Sequence, residues 1–426
     1  MRTAQSLAVI ATALLVGAAG LPVTGDIAYA GSGGSVYSIL GIGDIRSTPG
    51  PRAQGMGYAG ISLLSSQDIN PLSPATWSAI DRTHLEASAL YEGYNSTDVN
   101  ASRYLARLDY YGAVLAIPIA PSNGIVLVGG FLPFSNVDYD SYTEGSYQSS
   151  ADTLGYSLHH TGTGGITRAM AGLSWHPLAG TSVGASFNYL FGTLTQSMTQ
   201  TATSSDGAGG TIISDQTTSG VNFTFGIVYD GFGSIAEVLR PFSVGVVAST
   251  RANLHTTDQI NYLYSAETDT SDQTLTRIGI PFSYGIGIAY RPSERWALAA
   301  DYSAQPWRHM DFEGGAAYGI RNSSRFSIGA ERAGVSAMRA AWSEKVSYRV
   351  GTTYYQTYYS LGGENINEWT VTAGLGLPFS GESRLNIAAE FGTRGTTANG
   401  LGKDKIFRMT FSLNISDLWF VRAEEE

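Results

Sequence analysis

Two short glycine motifs match patterns that bind cofactors or support nucleophilic catalysis in other proteins. Residues 55–60 (Gly-Met-Gly-Tyr-Ala-Gly) fit the pattern G-x-G-x-x-G of dinucleotide-binding loops. Such a loop follows a buried strand and opens a helix, and neither pattern surrounds residues 55–60. Residues 180–184 (Gly-Thr-Ser-Val-Gly) fit G-x-S-x-G, but they begin a strand instead of a strand-to-helix turn. Neither motif predicts an enzyme, and we expect no cofactor.

The histidines are the other residues that could do acid–base or metal chemistry. The pair His159-His160 falls in a predicted outer loop, where a solvated pair is more common than a metal or lipopolysaccharide contact. Ser174 and His176 share a face of a strand, as a phospholipase couple would, but His176 lies at a predicted turn. The chain has no cysteine, which excludes thiolate nucleophiles and thiolate metal sites. We therefore predict no catalytic residue and no metal site.

The composition indicates an unusual environment for this chain. Charged residues make up 14% of it, against about 25% in soluble domains. The net charge of -10 argues against nucleic acid as a partner. Hydrophobic residues make up 43%, yet the mean hydropathy is only -0.03, so they are dispersed along the chain. Helical membrane proteins instead need repeated apolar runs of about 20 residues.

The one apolar run lies at the N-terminus and predicts a secretory signal peptide. Arg2 precedes the apolar residues 7–20, and Ala28-Tyr29-Ala30 fits a small-x-small cleavage site. We predict a signal peptide over residues 1–30, removed before Gly31. A membrane anchor is the less favoured alternative, because the run is short for spanning a bilayer.

From Thr83 onward, apolar and polar side chains alternate with a period of two. Phe407, Met409 and Phe411 point one way, while the residues between them are polar or charged. A strand places successive side chains on opposite faces, so the alternation predicts strands. We predict fourteen, near residues 83–94, 104–119, 125–134, 163–176, 181–200, 212–229, 241–256, 274–291, 295–307, 323–333, 345–358, 365–378, 383–394 and 404–420.

The connections alternate in length. Those at 121–124 and 291–294 are tight turns, whereas the loops at 135–162, 257–273 and 308–322 are long and polar. This asymmetry is typical of outer-membrane barrels, whose long loops lie outside the cell. We predict an all-β fold, a transmembrane antiparallel β-barrel over residues 83–420 in the outer membrane of a Gram-negative bacterium, surrounded by outer-membrane lipid. An even strand count places both termini, with a short tail at 421–426, in the periplasm.

Two segments leave the strand count open. Residues 231–240 have the composition of a short helix in a connection, and residues 333–344 look similar. Twelve or sixteen strands are therefore alternatives to fourteen.

Residues 31–82 show no sustained period and are rich in glycine, proline and serine. So long an irregular stretch is unusual in a compact protein and is normally functional. Its apolar residues, such as Met56 and Trp77, favour packing inside the lumen as an N-terminal plug (hatch) over a disordered tail.

Charged residues on the predicted strands are expected to point into the lumen. An arginine on the lipid face at mid-membrane costs about 2–4 kcal/mol. We expect these side chains to pair with each other or with residues 31–82, and direct ligand contact is the less favoured role. They are Glu86, Arg107, Asp109, Arg168, Asp301, Arg325, Arg349, Glu390 and Arg408.

The layout resembles the FadL family of outer-membrane transporters for hydrophobic compounds. Residues 55–61 and 68–77 look like the family's plug with its Asn-Pro-Ala motif, although here Leu72-Ser73 splits the motif. Residues 281–307 are similar to a family segment in which a proline-containing turn precedes a Trp and a Tyr-x-x-x-x-Trp strand. The aromatic end Trp419-Phe420 resembles the signal read by the barrel-assembly machinery, a partner during biogenesis. The plug motif residues are Gly55, Gly57, Gly60, Asn70, Pro71, Pro74 and Ala75.

The resemblance implies a monomeric channel for passive uptake of long-chain fatty acids or similar compounds. Such a channel captures its ligand with the outer loops, holds it in an apolar pocket and releases it sideways into the membrane. A lateral exit needs an interrupted strand, and Gly129, Gly130 and Pro133 are the candidates, because Gly and Pro weaken strand pairing. The alternative is that the strand simply ends at Pro133. Leu90, Val114 and Val228 point inward by the phase of the alternation, and together with the plug residues Ile61, Leu63, Leu64 and Trp77 they form a candidate ligand pocket.

Two other functions fit the same fold. Some FadL-like barrels, such as the PorV type, are components of a secretion system, and a continuous wall with a polar interior would favour that role. A general porin for polar solutes is the third possibility, favoured if residues 31–82 leave the lumen open.

Overall fold

The computed structural model describes residues 34–99, 102–148, 153–202, 209–264, 267–270, 274–309, 319–335 and 339–417. The predicted signal peptide with its cleavage site before Gly31, the aromatic end at 418–420 and the predicted tail at 421–426 lie outside the described residues.

Fourteen antiparallel strands form a closed barrel. In chain order they are β1 (Thr83–Thr97), β2 (Ser102–Ala120), β3 (Ile125–Asn136), β4 (Thr153–Leu178), β5 (Thr181–Ala202), β6 (Gly210–Tyr229), β7 (Phe242–Ser249, continued by Ala252–Tyr264), β8 (Thr274–Ile280, continued by Ser283–Ser293), β9 (Trp296–Gln305), β10 (Ser323–Arg332), β11 (Ser347–Leu361), β12 (Glu364–Ser380), β13 (Ser383–Gly395) and β14 (Lys403–Asp417). Each strand pairs with the next, and β14 pairs with β1 from Thr83↔Asp417 to Thr97↔Lys403. The prediction of an all-β barrel of fourteen strands is confirmed.

Two of the predicted polar loops are β-hairpins that lengthen the barrel at one end. Residues Tyr139–Gln148 pair with the first part of β4. Residues Glu267–Thr270 and the first part of β8 both pair with the second part of β7. The long polar loops predicted at 135–162 and 257–273 therefore contain strands, which the sequence pattern does not reveal because polar residues lie on both faces of these strands.

The outer face of the barrel is apolar. Ile288 on β8 and Ile328 on β10 are 46% and 62% exposed. On neighbouring strands the ring centroid of Tyr302 lies 4.7 Å from that of Phe326 and 6.4 Å from that of Tyr284. An apolar exterior with a band of aromatic rings is the surface that a bilayer-spanning barrel presents to lipid.

Four short turns and two longer connections, residues 230–241 and 333–346, join the strands at the end opposite the hairpins. The segment predicted to resemble a helix at 231–240 consists of two 3₁₀ turns, Gly231–Ser234 and Glu237–Leu239. The second segment predicted to resemble a helix, at 333–344, ends with one helical turn, Trp342–Lys345. Among the described residues, no helix is long and apolar enough to cross a membrane.

The N-terminal segment, residues 34–82, packs against inward-facing side chains on opposite sides of the barrel. It contains a short helix, α1 (Pro51–Gly55), and a two-residue strand, Asp44–Ile45. Met56 packs in a buried cluster with alanines of β8 and β9, and Trp77 packs with apolar residues of β2, β3 and β4. Both side chains are fully buried, so this segment and the inner wall form the apolar core.

Candidate functional site

The interior of the barrel is organised around the carboxylate of Glu92. This β1 side chain is fully buried and contacts guanidinium groups from three separate elements. Arg46 of the N-terminal segment donates Nη2 to Oε2 at 2.6 Å. Arg107 of β2 donates Nη2 to Oε2 at 2.9 Å, and Arg408 of β14 donates Nε to Oε1 at 3.0 Å. A carboxylate so buried requires this full set of donors, because an unpaired charge costs several kcal/mol.

Arg408 links Glu92 to carboxylates on the neighbouring strands. Its Nη1 donates to Glu368 of β12 at 2.8 Å and to Glu390 of β13 at 2.9 Å. The hydroxyl of Tyr58, in the N-terminal segment, donates to Glu390 at 2.8 Å. A further arginine of β13, Arg394, donates to Asp44 at 3.1 Å. The N-terminal segment is therefore bonded to the wall through the same charges that bond wall strands to each other.

A second ionic group fixes α1 and the chain after it. Arg52 and Arg349 both donate to Glu331 of β10, the latter from Nε at 2.8 Å. Beyond α1, the carboxylate of Asp301 accepts hydrogen bonds from the backbone N–H groups of Gly60 at 2.6 Å and Ile61 at 2.8 Å. Acceptors on β9 and β10 thus hold this part of the segment in one position.

The surroundings keep the N-terminal arginines charged. Burial alone would lower the pKa of the Arg46 guanidinium, but the adjacent Glu92, together with Tyr94 and Asp44, outweighs burial and the pKa is raised above its ordinary value. Burial also lowers the pKa of Arg52, but its acidic neighbours, chiefly Glu331, raise that pKa above its ordinary value. Both ion pairs therefore persist throughout the physiological pH range.

The main cavity lies between the N-terminal segment and the wall and has a volume of about 210 Å³. Apolar side chains from the segment (Ile45, Ile61) and from the wall (Phe134, Leu190) line part of it. Polar side chains line it as well, among them Arg46, Arg168, Asn188, Asn222, Thr224, Asp301, Gln305 and Arg325. A cavity with these two kinds of surface can accept an amphiphile.

A cleft of about 480 Å³ interrupts the wall between β2 and β3. These strands pair only as far as Ala113↔Phe131, and beyond that point β3 leaves β2. The freed end of β3, Ser135-Asn136, pairs with Ile45 and Asp44 of the N-terminal segment. Residues 107–110 lie on one side of the cleft, and residues 133–138 and 163–167 on the other. The closed barrel therefore has a local opening in one wall.

The residues predicted to interrupt a strand lie at this divergence. A Cβ on Gly130 would lie 2.3 Å from the carbonyl oxygen of Ala113, so glycine permits the last close pairing of β3 with β2. The register between β3 and β4 shifts between Pro133 and Ser135. Gly129 has more room, since a Cβ there would lie 3.5 Å from its nearest neighbour. Their role as a lateral gate stays a prediction.

Both halves of the split plug motif make contacts. The side chain of Asn70 donates to the Gly60 carbonyl at 2.9 Å and accepts from the Leu72 N–H at 3.0 Å, while Pro71 lines the main cavity. Gly55 and Gly57 lie against β11 and β12. Pro74 and Ala75 pack against Gly184 of β5. A Cβ on Gly184 would lie 2.3 Å from the Pro74 carbonyl carbon, so only glycine leaves room for them. The last glycine of the G-x-S-x-G sequence is thus a packing residue.

The seven residues predicted to form a ligand pocket do not come together. Ile61 lines the main cavity, while Leu90 and Val114 line two smaller ones. Trp77 and Leu63 belong to different buried clusters. The carbonyl of Leu64 accepts from Arg291, and Val228 is buried. Alternation gives the face of a strand but not the depth along it, so their role as ligand contacts stays a prediction.

Most of the charged residues predicted to face the lumen are buried, whereas the Asp109 side chain is 39% exposed and lines the cleft. The network also contains charged residues that the prediction omitted. Glu92, Glu331 and Glu368 are buried and bind arginines. A signal for Glu92 existed, because it has the same phase on β1 as Glu86. The omitted cleft residues Gly164 and Gly165 were signalled by the glycine-rich run that begins at Gly162.

Comparison with known proteins assigns the family and the fold. The family model described as BamG matches residues 14–424. The chain belongs to the BamG family. Among curated protein sequences, none matches this BamG-family chain.

Solved structures show that this BamG-family chain has a FadL-type barrel, as its resemblance to that family implies. The Ralstonia pickettii toluene transporter TbuX matches with a TM-score of 0.59 and 15% identity over 86% of this chain and 98% of its own. A Pseudomonas aeruginosa FadL homologue matches with a TM-score of 0.59 and 12% identity over 87% and 98%. The CymD monoaromatic hydrocarbon channel matches with a TM-score of 0.57 and 14% identity over 89% and 99%.

The replacement Glu92→Gln should destabilise the barrel strongly. It leaves Arg46, Arg107 and Arg408 without their shared carboxylate, and breaking a buried ion pair costs about 3–5 kcal/mol. The matched control is Glu237→Gln, whose exposed pair with Arg240 should contribute little. Urea unfolding in phospholipid vesicles measures both. Equal unfolding free energies for the two variants would contradict a central role for Glu92.

Proposed function

We propose that this protein is an outer-membrane channel for passive uptake of hydrophobic compounds, which leave through the side of the barrel into the lipid. The observation that carries the proposal is the cleft between β2 and β3, where the strand pairing ends at Ala113↔Phe131. An apolar solute gains free energy on passing directly from a cavity into lipid, whereas a water-filled route would expose it to water. The barrel acts as a channel and not as an enzyme.

The N-terminal segment acts in this proposal as the plug that closes the axial route. Its buried side chains and its ion pairs with β1, β10 and β13 support that role. With the axis closed, the cleft is the exit. Both chain termini lie in the periplasm and the hairpins outside, so that solutes enter from the hairpin end. The same filled interior argues against a general porin for polar solutes.

The lining of the main cavity and the structural neighbours indicate the class of ligand. Proteins of the same fold include a toluene transporter and a monoaromatic hydrocarbon channel. We propose a long-chain fatty acid or a similar molecule as the ligand of the present chain, because the lining of the main cavity contains both apolar and polar side chains. We infer that the channel works as a monomer, since the cavity and the cleft are built from one chain.

A structural or assembly role is a second candidate, favoured by the polar, ion-paired interior around Glu92. Native mass spectrometry after mild detergent extraction discriminates the two. Transport predicts a co-purified fatty acid or hydrocarbon on the isolated barrel. A stoichiometric protein subunit with no lipid-like ligand would instead support assembly.

The replacement Gly57→Ala should loosen the plug. Gly57 has a φ of 66°, and a Cβ there would lie 2.6 Å from the backbone N and O of Thr352 in β11. The N-terminal segment would have to move away from the wall, so ion conductance across planar bilayers should rise. The control Gly402→Ala should leave conductance unchanged, because its Cβ would have 3.7 Å to the nearest atom. An unchanged Gly57→Ala conductance would argue against the plug.

Bridging the cleft should slow uptake. Leu108 and Thr167 line its two sides, and the chain contains no native cysteine. The double variant Leu108→Cys with Thr167→Cys, joined by a bis-maleimide, should take up a labelled hydrophobic compound into cells more slowly than the unjoined variant. The control pair Ile288→Cys with Ala300→Cys lies on directly paired residues of β8 and β9, where joining should change nothing. Undiminished uptake through a bridged cleft would place the exit elsewhere.

A further inference from the structure

The outer face of the barrel changes character on the side formed by β4 to β8. On β5, the outward ring of Phe191 is followed toward the hairpins by the exposed Thr193, whereas Leu194 on the opposite face is buried. On β8, the exposed Arg277 lies beyond the outward ring of Phe282 in the same direction. These strands therefore continue past the band of aromatic rings with polar side chains in their outward positions.

The outward polar side chains form one continuous surface across the paired strands, which we call the hydroxyl face. Pairing places Thr193 of β5 beside Thr217 of β6, and Thr217 beside Thr257 of β7. Hydroxyl groups both donate and accept hydrogen bonds, as the hydroxyl groups of sugars do. The polar residues of the hydroxyl face are Thr163, Thr193, Thr195, Ser197, Thr199, Thr211, Asp215, Thr217, Ser219, Arg251, Asn253, His255, Thr257, Gln259 and Arg277.

Two exposed arginines lie at the edge of the hydroxyl face nearest the aromatic rings. His255 of β7 pairs with Ser219 of β6 on one side and with Arg277 of β8 on the other. The guanidinium of Arg251 lies over Gly279, because a Cβ there would lie 2.7 Å from its Nη2. Gly279 follows Arg277 by two residues on the same face, about 7 Å along the strand. Both guanidinium groups therefore lie where the aromatic band ends and lipid head groups begin.

The chemistry at this height fits one kind of lipid. Arginine binds phosphate oxygens through charge-assisted hydrogen bonds, which are often bidentate. The hydroxyl and amide groups beside the arginines suit sugars linked to such a phosphate. One acidic side chain of the hydroxyl face, Asp215, accepts from Thr195 Oγ1 at 2.7 Å and lies four residues beyond Ser219, away from the aromatic rings. It leaves the arginine edge open to an anion.

We propose that the hydroxyl face binds a phosphorylated glycolipid of the outer leaflet, lipopolysaccharide. Its phosphate contacts Arg251 and Arg277, and its sugars contact the threonines of β5 and β6. The continuity of this surface with the lipid-facing wall supports that occupant, because a lipid whose acyl chains pack on the aromatic band places its head group here. The inference goes beyond uptake and rests only on the proposed orientation, with the hairpins outside the cell.

The test compares three lipids. They are lipopolysaccharide that lacks its distal sugar chain, the same glycolipid after enzymatic removal of its phosphate groups, and phosphatidylglycerol. The full-length mature protein, fluorescently labelled and held in dodecyl maltoside micelles, is titrated with each by microscale thermophoresis. The intact glycolipid should bind about tenfold or more tightly than either other lipid, since a hydrogen bond to a charged group is worth that much.

Variants then assign the binding to the two arginines. The double variant Arg251→Gln with Arg277→Gln should bind the intact glycolipid about tenfold more weakly. Lysine at both positions should retain most of the affinity and guards against loss of folding, which thermal unfolding checks. The matched control is Arg103→Gln with Arg240→Gln, which removes the same charge from side chains that are 56% and 72% exposed and lie outside the hydroxyl face.

Three results would overturn the site. The dephosphorylated glycolipid could bind as tightly as the intact one, which would remove the phosphate contact. Phosphatidylglycerol could bind as tightly, which would remove the sugar contact. The glutamine double variant could keep full affinity, or lose no more than the control does, which would remove the role of Arg251 and Arg277.

A separate measurement distinguishes a wrong orientation from a wrong site. The variant Thr201→Cys, near the hairpin end of β5, should react with a membrane-impermeant maleimide on intact cells, and the chain contains no native cysteine. Labelling without a preference for the intact glycolipid would overturn the site and leave the uptake proposal standing. Labelling only after lysis would overturn the orientation and this inference with it.

Discussion

Everything inside this barrel depends on one constraint: a charge in a lipid-surrounded wall must face inward and find an opposite charge there. Glu92 shows how the constraint is met, because its buried carboxylate is shared by arginines from β2, from β14 and from the N-terminal segment. Arg107 and Arg408 in turn reach further carboxylates, as Arg408 does with Glu368 and Glu390. Since removing one member leaves several charges unpaired, the network joins wall and segment into a single cooperative interior.

Backbone pairing and ion pairs also connect the N-terminal segment to the opening in the wall. Where β3 leaves β2, its backbone at Ser135-Asn136 is paired by Asp44-Ile45. Backbone N–H and C=O groups at membrane depth need partners, and the segment supplies them where the neighbouring strand does not. Asp44, within this pairing, binds Arg394, and Arg46, directly after it, binds Glu92. The segment thus pairs with the strand end that borders the cleft, so a shift of one would change the other.

Prediction from the sequence succeeded where a local rule applies. The period of two located all fourteen wall strands, and the cost of a charge facing lipid correctly placed residues such as Arg107 and Arg349 inside. It did not locate the hairpin strand within 135–162, where polar residues on both faces of the strand remove the contrast between faces. For the pocket, it gave the face of Leu90, Val114 and Val228 but could not give their height, which depends on strand tilt and on what fills the lumen.

The sequence by itself determined the class of structure, because alternation, low charge content and scattered apolar residues leave a closed β-sheet in lipid as the arrangement that satisfies both backbone and side chains. The tertiary structure decided which interior groups meet. Arg168 and Arg325 look like Arg107 and Arg349 in the sequence, all four being arginines at inward positions of strands. Only the folded chain shows that the latter two have carboxylates beside them and the former two face a cavity. Pairing across a lumen joins residues far apart in the chain, so no local pattern encodes it.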